Sequence, residues 1–314
     1  MATRISRTLE QLELFFRFAI RHPFGLPGFI LLAFFLIVAA FPWLFTPYTP
    51  DQIFNETFAP PSPEHPCGTD YEGRDVWAMI VWGTRPSLAV GIIAALLTTF
   101  IGGVLGIVAG YMGGIADYIV MLLSDVLMLI PSLLLLIVFG VLFSKGFVIA
   151  ALSRAAPFLF GGHEVDRWTI WDTAVVISLI SWPSTARIVR AQVIQLKHTL
   201  YVEAARAVGA PALRVMFKHI APQTFPLILA RIAILTPGFM VTVASLSFLG
   251  LGDDKNPDWG YVMYRAFTNK QVVLPQGLWQ QFVIPGLFLA FAVLAFICVG
   301  EVITEYLNPR RRAV

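Results

Sequence analysis

The stretch EAARAVGAPALRVMFKHIAP, residues 203–222, decides how this chain is read. It carries Arg206, Arg214, Lys218 and His219, and its first half is built on alanine, while the chain on either side is strongly apolar. From Thr199 to Val208 the pattern predicts a short helix with Thr199 as its cap. Gly209 suits a left-handed stop. Pro211 stands where a second helix would begin, because the first turn does not need its N–H, and Pro222 is expected to end that helix. Two helices this short do not hold together alone in water. The protein's own spans are expected to offer them only limited surface. Three readings follow: a DNA-reading helix-turn-helix, a plain connecting loop, or a docking element for another protein. The first is disfavoured because an apolar segment only a few residues away would trap the unit against a bilayer.

Composition widens the argument. The chain has 314 residues, 57% of them hydrophobic and 13% charged, with a mean hydropathy of +0.75. A soluble domain carries roughly 25% charged residues, so an integral membrane protein is expected. The net charge of +3 is too small to argue for nucleic acid. Cys67 falls in a polar loop and Cys298 in an apolar run, so neither a disulfide nor a zinc spacing is expected.

A membrane helix needs about 20 mostly apolar residues to cross a core of roughly 30 Å. Six stretches qualify, near Leu26–Phe45, Ser87–Gly110, Ala116–Phe143, Trp171–Val189, Phe225–Leu249 and Phe282–Ile303. The first is too long for a signal-peptide core and is read as a retained anchor. Six spans put both termini on one side. That side collects Arg4, Arg7, Arg17 and Arg21, the cluster from Arg187 to Lys218, and Arg310 to Arg312. The opposite side holds fewer bases and most of the acids, so the termini and the opening stretch are expected in the cytoplasm. The chain then divides into 1–25, a cytoplasmic interfacial helix; 26–85, a first span and a proline-rich outer loop; 86–305, the transmembrane body with its loop at 199–223; and 306–314, a basic tail.

Leu9, Leu12, Phe16 and Ile20 recur at helical spacing, which suggests a helix lying along the membrane. The outer loop at 59–66 is rich in proline and should be extended. Gly102, Gly106 and Gly110 line one helix face and favour close packing. Pro131 and Pro237 should kink their spans. Asp125 is costly inside a bilayer and needs a partner, with Arg187, Arg190 and Arg231 as candidates for a strut near an inner gate. His65, Cys67 and Asp70 make a poor metal set. Asp70 and Asp75 are better read as turn caps, with Arg74 pairing to them. No phosphate loop, HExxH or GxSxG is present, so no enzyme chemistry is expected in this chain.

The order Glu203-Ala204-Ala205, then Gly209, then Ile220-Ala221-Pro222 resembles the EAA-type loop of membrane subunits in binding-protein-dependent ABC importers. The run His65 to Asp75, HPCGTDYEGRD, is similar to an outer-loop pattern of the dipeptide/oligopeptide permease branch, in which His65, Gly68, Thr69, Asp70, Gly73, Arg74 and Asp75 match. GYMGG at 110–114, DVLMLIPS at 125–132, ARIVRAQ at 186–192 and SLSFLGLG at 245–252 look like the same branch. The segment 153–168 is longer than that family's usual outer loop.

The resemblance implies an all-α, six-span permease of a prokaryotic cytoplasmic membrane. It implies a paralogous permease subunit, two ATP-binding subunits that carry ATP and Mg, and an extracytoplasmic solute-binding protein, with no cofactor in this chain. It also implies that Glu203, Ala204, Ala205, Arg206 and Gly209 engage the ATPase. Short peptides are the default solute, although the same scaffold serves nickel, glutathione and oligosaccharides. A transporter or channel acting alone is the contrasting reading, since it would not need the helix pair.

Overall fold

The computed structural model describes residues 13–15, 17–144, 169–269 and 278–307. The longer loop at 153–168 and the basic tail at 310–312 lie outside them. Among the described residues the regular structure is helical, apart from single bridges between Ile53 and Arg74 and between Thr69 and Asp75.

Helix α1, Glu13–Arg21, meets α2, Gly25–Ala40, at a bend of 108°. Helix α3, Val76–Met112, starts eleven residues before the expected Ser87 and encloses Pro86, so a division at 85/86 falls inside a helix. Its start is fixed by Asp75, whose carboxylate accepts from the amides of Trp77 and Ala78, both at 3.3 Å. Pro86 removes one helical hydrogen bond, which packed membrane helices tolerate.

The expected span Ala116–Phe143 is instead two helices, α4 Gly114–Leu129 and α5 Ser132–Ser144, bent by 87°. Pro131 disfavours helical geometry at the residue before it. Ile130 accordingly adopts φ −96°, ψ 130°, and the helix breaks there rather than kinking. Helix α6, Ile170–Lys197, opens on a capping box between Thr169 and Asp172. Then come α7, Leu200–Ala207, and a 40-residue helix α8, Ala212–Leu251. Helix α9, Trp259–Thr268, lies in the connection between α8 and α10, and α10, Gln280–Leu307, closes the described chain.

Among the described residues three helices, α3, α8 and α10, are long and apolar enough to cross a membrane, or five spans if α1–α2 and α4–α5 each count as one. The protein is therefore a polytopic all-α membrane protein. At 28 residues α6 is long enough to cross as well, but its lower hydropathy leaves it outside that set.

The centre of the bundle is the parallel pair α3–α6. A Cβ at Gly102 would lie 2.7 Å from Thr185 Cβ and from the Trp182 carbonyl oxygen, at Gly106 2.6 Å from the Ala186 carbonyl oxygen, and at Gly110 2.8 Å from Val193 Cβ. The glycine stripe thus seats α6 backbone to backbone on α3, at a distance no larger residue permits. Pro237 lies within α8 without ending it.

Candidate functional site

The helix pair at 200–220 is anchored from below. Val202, Val215, Met216 and Ile220 are buried with Tyr111 of α3 and Val189 and Val193 of α6. The spans therefore offer more surface than the sequence suggested, because α3 and α6 run on past the bilayer-length core and end under the pair. Thr199 holds the cap position, but its hydroxyl donates to the Leu196 carbonyl at 2.6 Å and not back toward α7. Gly209 adopts φ +81°, as a left-handed stop requires.

Pro222 does not end the second helix. The turn before it, Met216–Ile220, widens to i→i+5 bonding, and the Ala221 amide reaches the Met216 carbonyl. Pro222 then falls in the first turn of the following segment, where no N–H is needed. The second helix is thereby a rigid extension of α8.

The outward face of the pair is exposed. Glu203, Ala204, Arg206 and Gly209 are exposed, and Ala205 is half-buried. Leu200, Val208, Leu213 and Phe217 surround them, exposed by 85%, 85%, 67% and 70%. Large apolar side chains presented together beside a small-residue surface and two opposite charges form a surface suited to a protein partner.

Beside this loop, α4 is tied to α6 by two ion pairs. Arg190 grips both oxygens of Asp117. Arg187 bonds Asp125 and donates through Nε to Ser124 Oγ at 3.0 Å. Of the three arginines considered for Asp125, Arg187 is the one that reaches it, while Arg231 donates to Ser184 Oγ at 3.1 Å. Sequence reading overlooked Asp117 as a strut.

The loop at 65–75, expected on the outer side, forms a second knot. Gly68 and Gly73, at φ +74° and +80°, fold residues 65–75 into tight turns. Asp70 Oδ1 accepts from the amides of Glu72 at 2.8 Å and Arg74 at 2.9 Å. Its other oxygen takes a 2.8 Å bond from Arg265 of α9, and both side chains are buried. Arg265 also reaches Glu72 at 3.1 Å and lies 4.4 Å over the Tyr71 ring. Gln281 of α10 donates to the carbonyls of Cys67 at 3.1 Å and Thr69 at 3.0 Å. Thr69 Oγ1 donates to the Glu56 carbonyl at 2.6 Å. His65 Nδ1 stands 3.6 Å from Asp75. Arg74 pairs with Glu72, not with Asp70 or Asp75 as expected, because Arg265 already holds Asp70 and Asp75 is committed to capping α3.

The charges follow this packing. Burial alone would lower Arg265, but Asp70, Tyr261 and Glu72 outweigh it and hold the guanidinium above its ordinary value. Burial opposes ionisation of Glu72, yet Tyr71, Arg265 and Arg74 together keep its carboxyl below the ordinary range. The Cys67 thiol is pushed up to about 12, first by burial and then by Asp75, so it is a poor nucleophile. Asp258, which caps α9 through the Tyr261 amide at 2.7 Å, is raised by burial to about 6 although Ser247 donates to it.

A helix pair with one face buried and the other exposed, two α4–α6 struts and a stapled loop at 65–75 suit a transport subunit. The family described as binding-protein-dependent transport system inner membrane component matches residues 102–313. This chain belongs to that family. The inner-membrane component is 33% identical over 90% of its length to the dipeptide transport system permease protein DppC of Bacillus subtilis, of which 81% is covered. It is 30% identical over 81% of its length to the glutathione transport system permease protein GsiD of Pectobacterium atrosepticum, of which 75% is covered.

The family match takes in the helix pair, both α4–α6 struts, Arg265 and Gln281, but begins after residues 65–75. In this inner-membrane component the outer knot therefore joins a segment outside the matched region to two residues within it. Arg265 and Gln281 were missed from the sequence, since 195 residues separate Arg265 from Asp70. No signal in the sequence pointed to them, because Arg74, four residues on, already offered Asp70 a partner.

Proposed function

We propose that this chain is the membrane-spanning permease subunit of an ATP-driven importer for short peptides, working beside a paralogous permease, two ATP-binding subunits and an extracytoplasmic solute-binding protein. The observation that carries the reading is the helix pair at 200–220, with one face buried on α3 and α6 and the other exposed around Glu203, Ala205 and Gly209. A transporter acting alone has no use for such a face. Peptide as solute rests on the relatives' names, dipeptide for one and glutathione for the other. Hydrolysis of ATP with Mg belongs to the partners, and this chain does no chemistry of its own. Helix α6 is the sixth crossing, and both termini lie in the cytoplasm of a prokaryotic cell. The residues 65–75 face outward, where the binding protein docks, and the Asp125–Arg187 pair braces the inner end of the pathway.

The test is Gly209→Pro in the assembled transporter. Proline cannot adopt φ +81°, so the turn between α7 and α8 must rearrange. The variant is expected to reach the membrane in normal amount and to lose ATPase stimulation by peptide-loaded binding protein. Uptake at the wild-type rate would refute the coupling role.

A further inference from the structure

Two cavities meet at Tyr306. One, of about 590 Å³, is a slot between α2, α3, α8 and α10, with Leu32, Ile92, Leu96, Leu229 and Phe296 among its almost wholly apolar walls. The other, of about 380 Å³, lies beneath α1 and is edged by Arg17 and Arg21. Tyr306 lines both, and Phe15 and Phe18 of α1 pack on its ring at 5.1 and 5.7 Å.

The dimensions select an occupant. Along α10 the slot runs from Phe296 to Leu307, eleven residues or about 16 Å, close to one leaflet of a hydrocarbon core of roughly 30 Å. An extended hydrocarbon chain one leaflet long lies along such a slot, in contact with apolar walls over its whole length. At Tyr306 the slot adjoins the cavity edged by Arg17 and Arg21. Arg17 pairs with Glu13 at 2.6 Å on the surface, an exposed pair that a phosphate can displace, and Glu305 is engaged by His22 at 2.8 Å. A single long apolar chain below two guanidinium groups matches a lipid that carries a phosphate.

We propose that the slot and its rim hold one anionic phospholipid, its acyl chain between α3, α8 and α10 and its phosphate at Arg17 and Arg21. The bound lipid fastens α1 to the end of α10. The site owes nothing to the solute or to the ATPase partners.

Native mass spectrometry of the full-length chain, released from mild detergent after exchange with phosphatidylglycerol or phosphatidylcholine of equal chain length, tests it. Wild type is expected to retain one phosphatidylglycerol. Arg17→Gln with Arg21→Gln, both at the surface, should lower its retention at least roughly fivefold, the factor one arginine contributes near an anionic lipid, to the level of phosphatidylcholine. Leu96→Trp with Leu229→Trp, at positions 46% and 41% exposed in the slot wall, should abolish retention of both lipids while Cys67 stays unreactive to maleimide, which shows an intact fold. Equal retention of the two lipids by wild type would overturn the proposal. So would a lipid adduct that survives the tryptophan pair, including the case in which that pair breaks copurification with a second permease subunit and leaves the lipid in place.

Discussion

Replacing Arg265 by Met should loosen the outer loop by a measurable and specific amount. Arg265 is buried and bonds Asp70, Glu72 and the Tyr261 hydroxyl. Methionine keeps much of the apolar stem over Tyr71 and removes the charge. Asp70 is then left buried with two backbone amides and no cation. Removing one partner of a buried ion pair costs about 3–5 kcal/mol. Cys67, 1% exposed, sits two residues from Gln281's second acceptor and moves with the same loop. Its thiol is held near 12 in the closed loop, so maleimide reacts through the opened state. A loss of about 3 kcal/mol raises the opened population by roughly 150-fold, and the alkylation rate of Cys67, measured in a Cys298→Ser background, should rise with it. The double variant Asp70→Asn with Arg265→Met removes the stranded charge and should recover at least about tenfold of that increase. A labelling rate within threefold of wild type in Arg265→Met, or no recovery in the double variant, would refute the claim that the pair staples the loop.

Other outcomes follow from the same geometry. Asp258 is neutral below about pH 4 whether folded or unfolded, and above its folded value of about 6 it must ionise where it is buried. The α8–α9 junction should therefore be most stable below pH 4 and lose stability as pH rises through 6. The rise from 3.8 to about 6 corresponds to about 3 kcal/mol, and Asp258→Asn should flatten the dependence of amide exchange in 259–268 on pH. Gly106→Leu places a Cβ 2.6 Å from a carbonyl oxygen of α6 and should sharply lower the thermal midpoint in detergent. Gly113→Ala meets no atom within 4 Å, carries only the strain of φ +66°, and should cost about 1 kcal/mol. Asp125→Asn should leave uptake independent of a proton gradient and near wild type, because Arg187 keeps its bond to Ser124; loss of uptake with normal assembly would point to a proton relay.

What could be read ahead of the structure was local. A glycine every fourth residue, a proline within an apolar run and a glycine between two short helices each constrain backbone within a turn of themselves. Gly102, Gly106, Gly110 and Gly209 accordingly do what their spacing says, and Pro131 breaks its helix harder than expected. Pro222 misled because its effect depends on the turn before it, and no residue type announces a π turn. Span limits were short at the ends, since hydropathy falls toward the ends of α3 and α6, yet the helices continue and support the 200–220 pair. The outer knot was half legible. Asp70 and Asp75 cap turns through their own neighbours in sequence, but Arg265 and Gln281 arrive from other helices, and nothing near either one marks its destination.

The arrangement also fixes what must move together. Val202, Val215 and Ile220 are buried against the ends of α3 and α6, so the helix pair cannot shift without those ends. The glycine stripe allows α3 and α6 no independent sliding, because at Gly102 and Gly106 the nearest obstacles to added bulk include backbone carbonyls. Asp117 and Asp125 then carry α4 with α6 through Arg190 and Arg187. The helix breaks at Ile130–Pro131, and beyond the break Leu136 of α5 is buried in one core with Val90 of α3, Ile177 of α6 and Val243 of α8. If a partner pushes at Glu203, this packing would therefore carry the displacement to α3, α4, α6 and α8 together rather than to the helix pair alone.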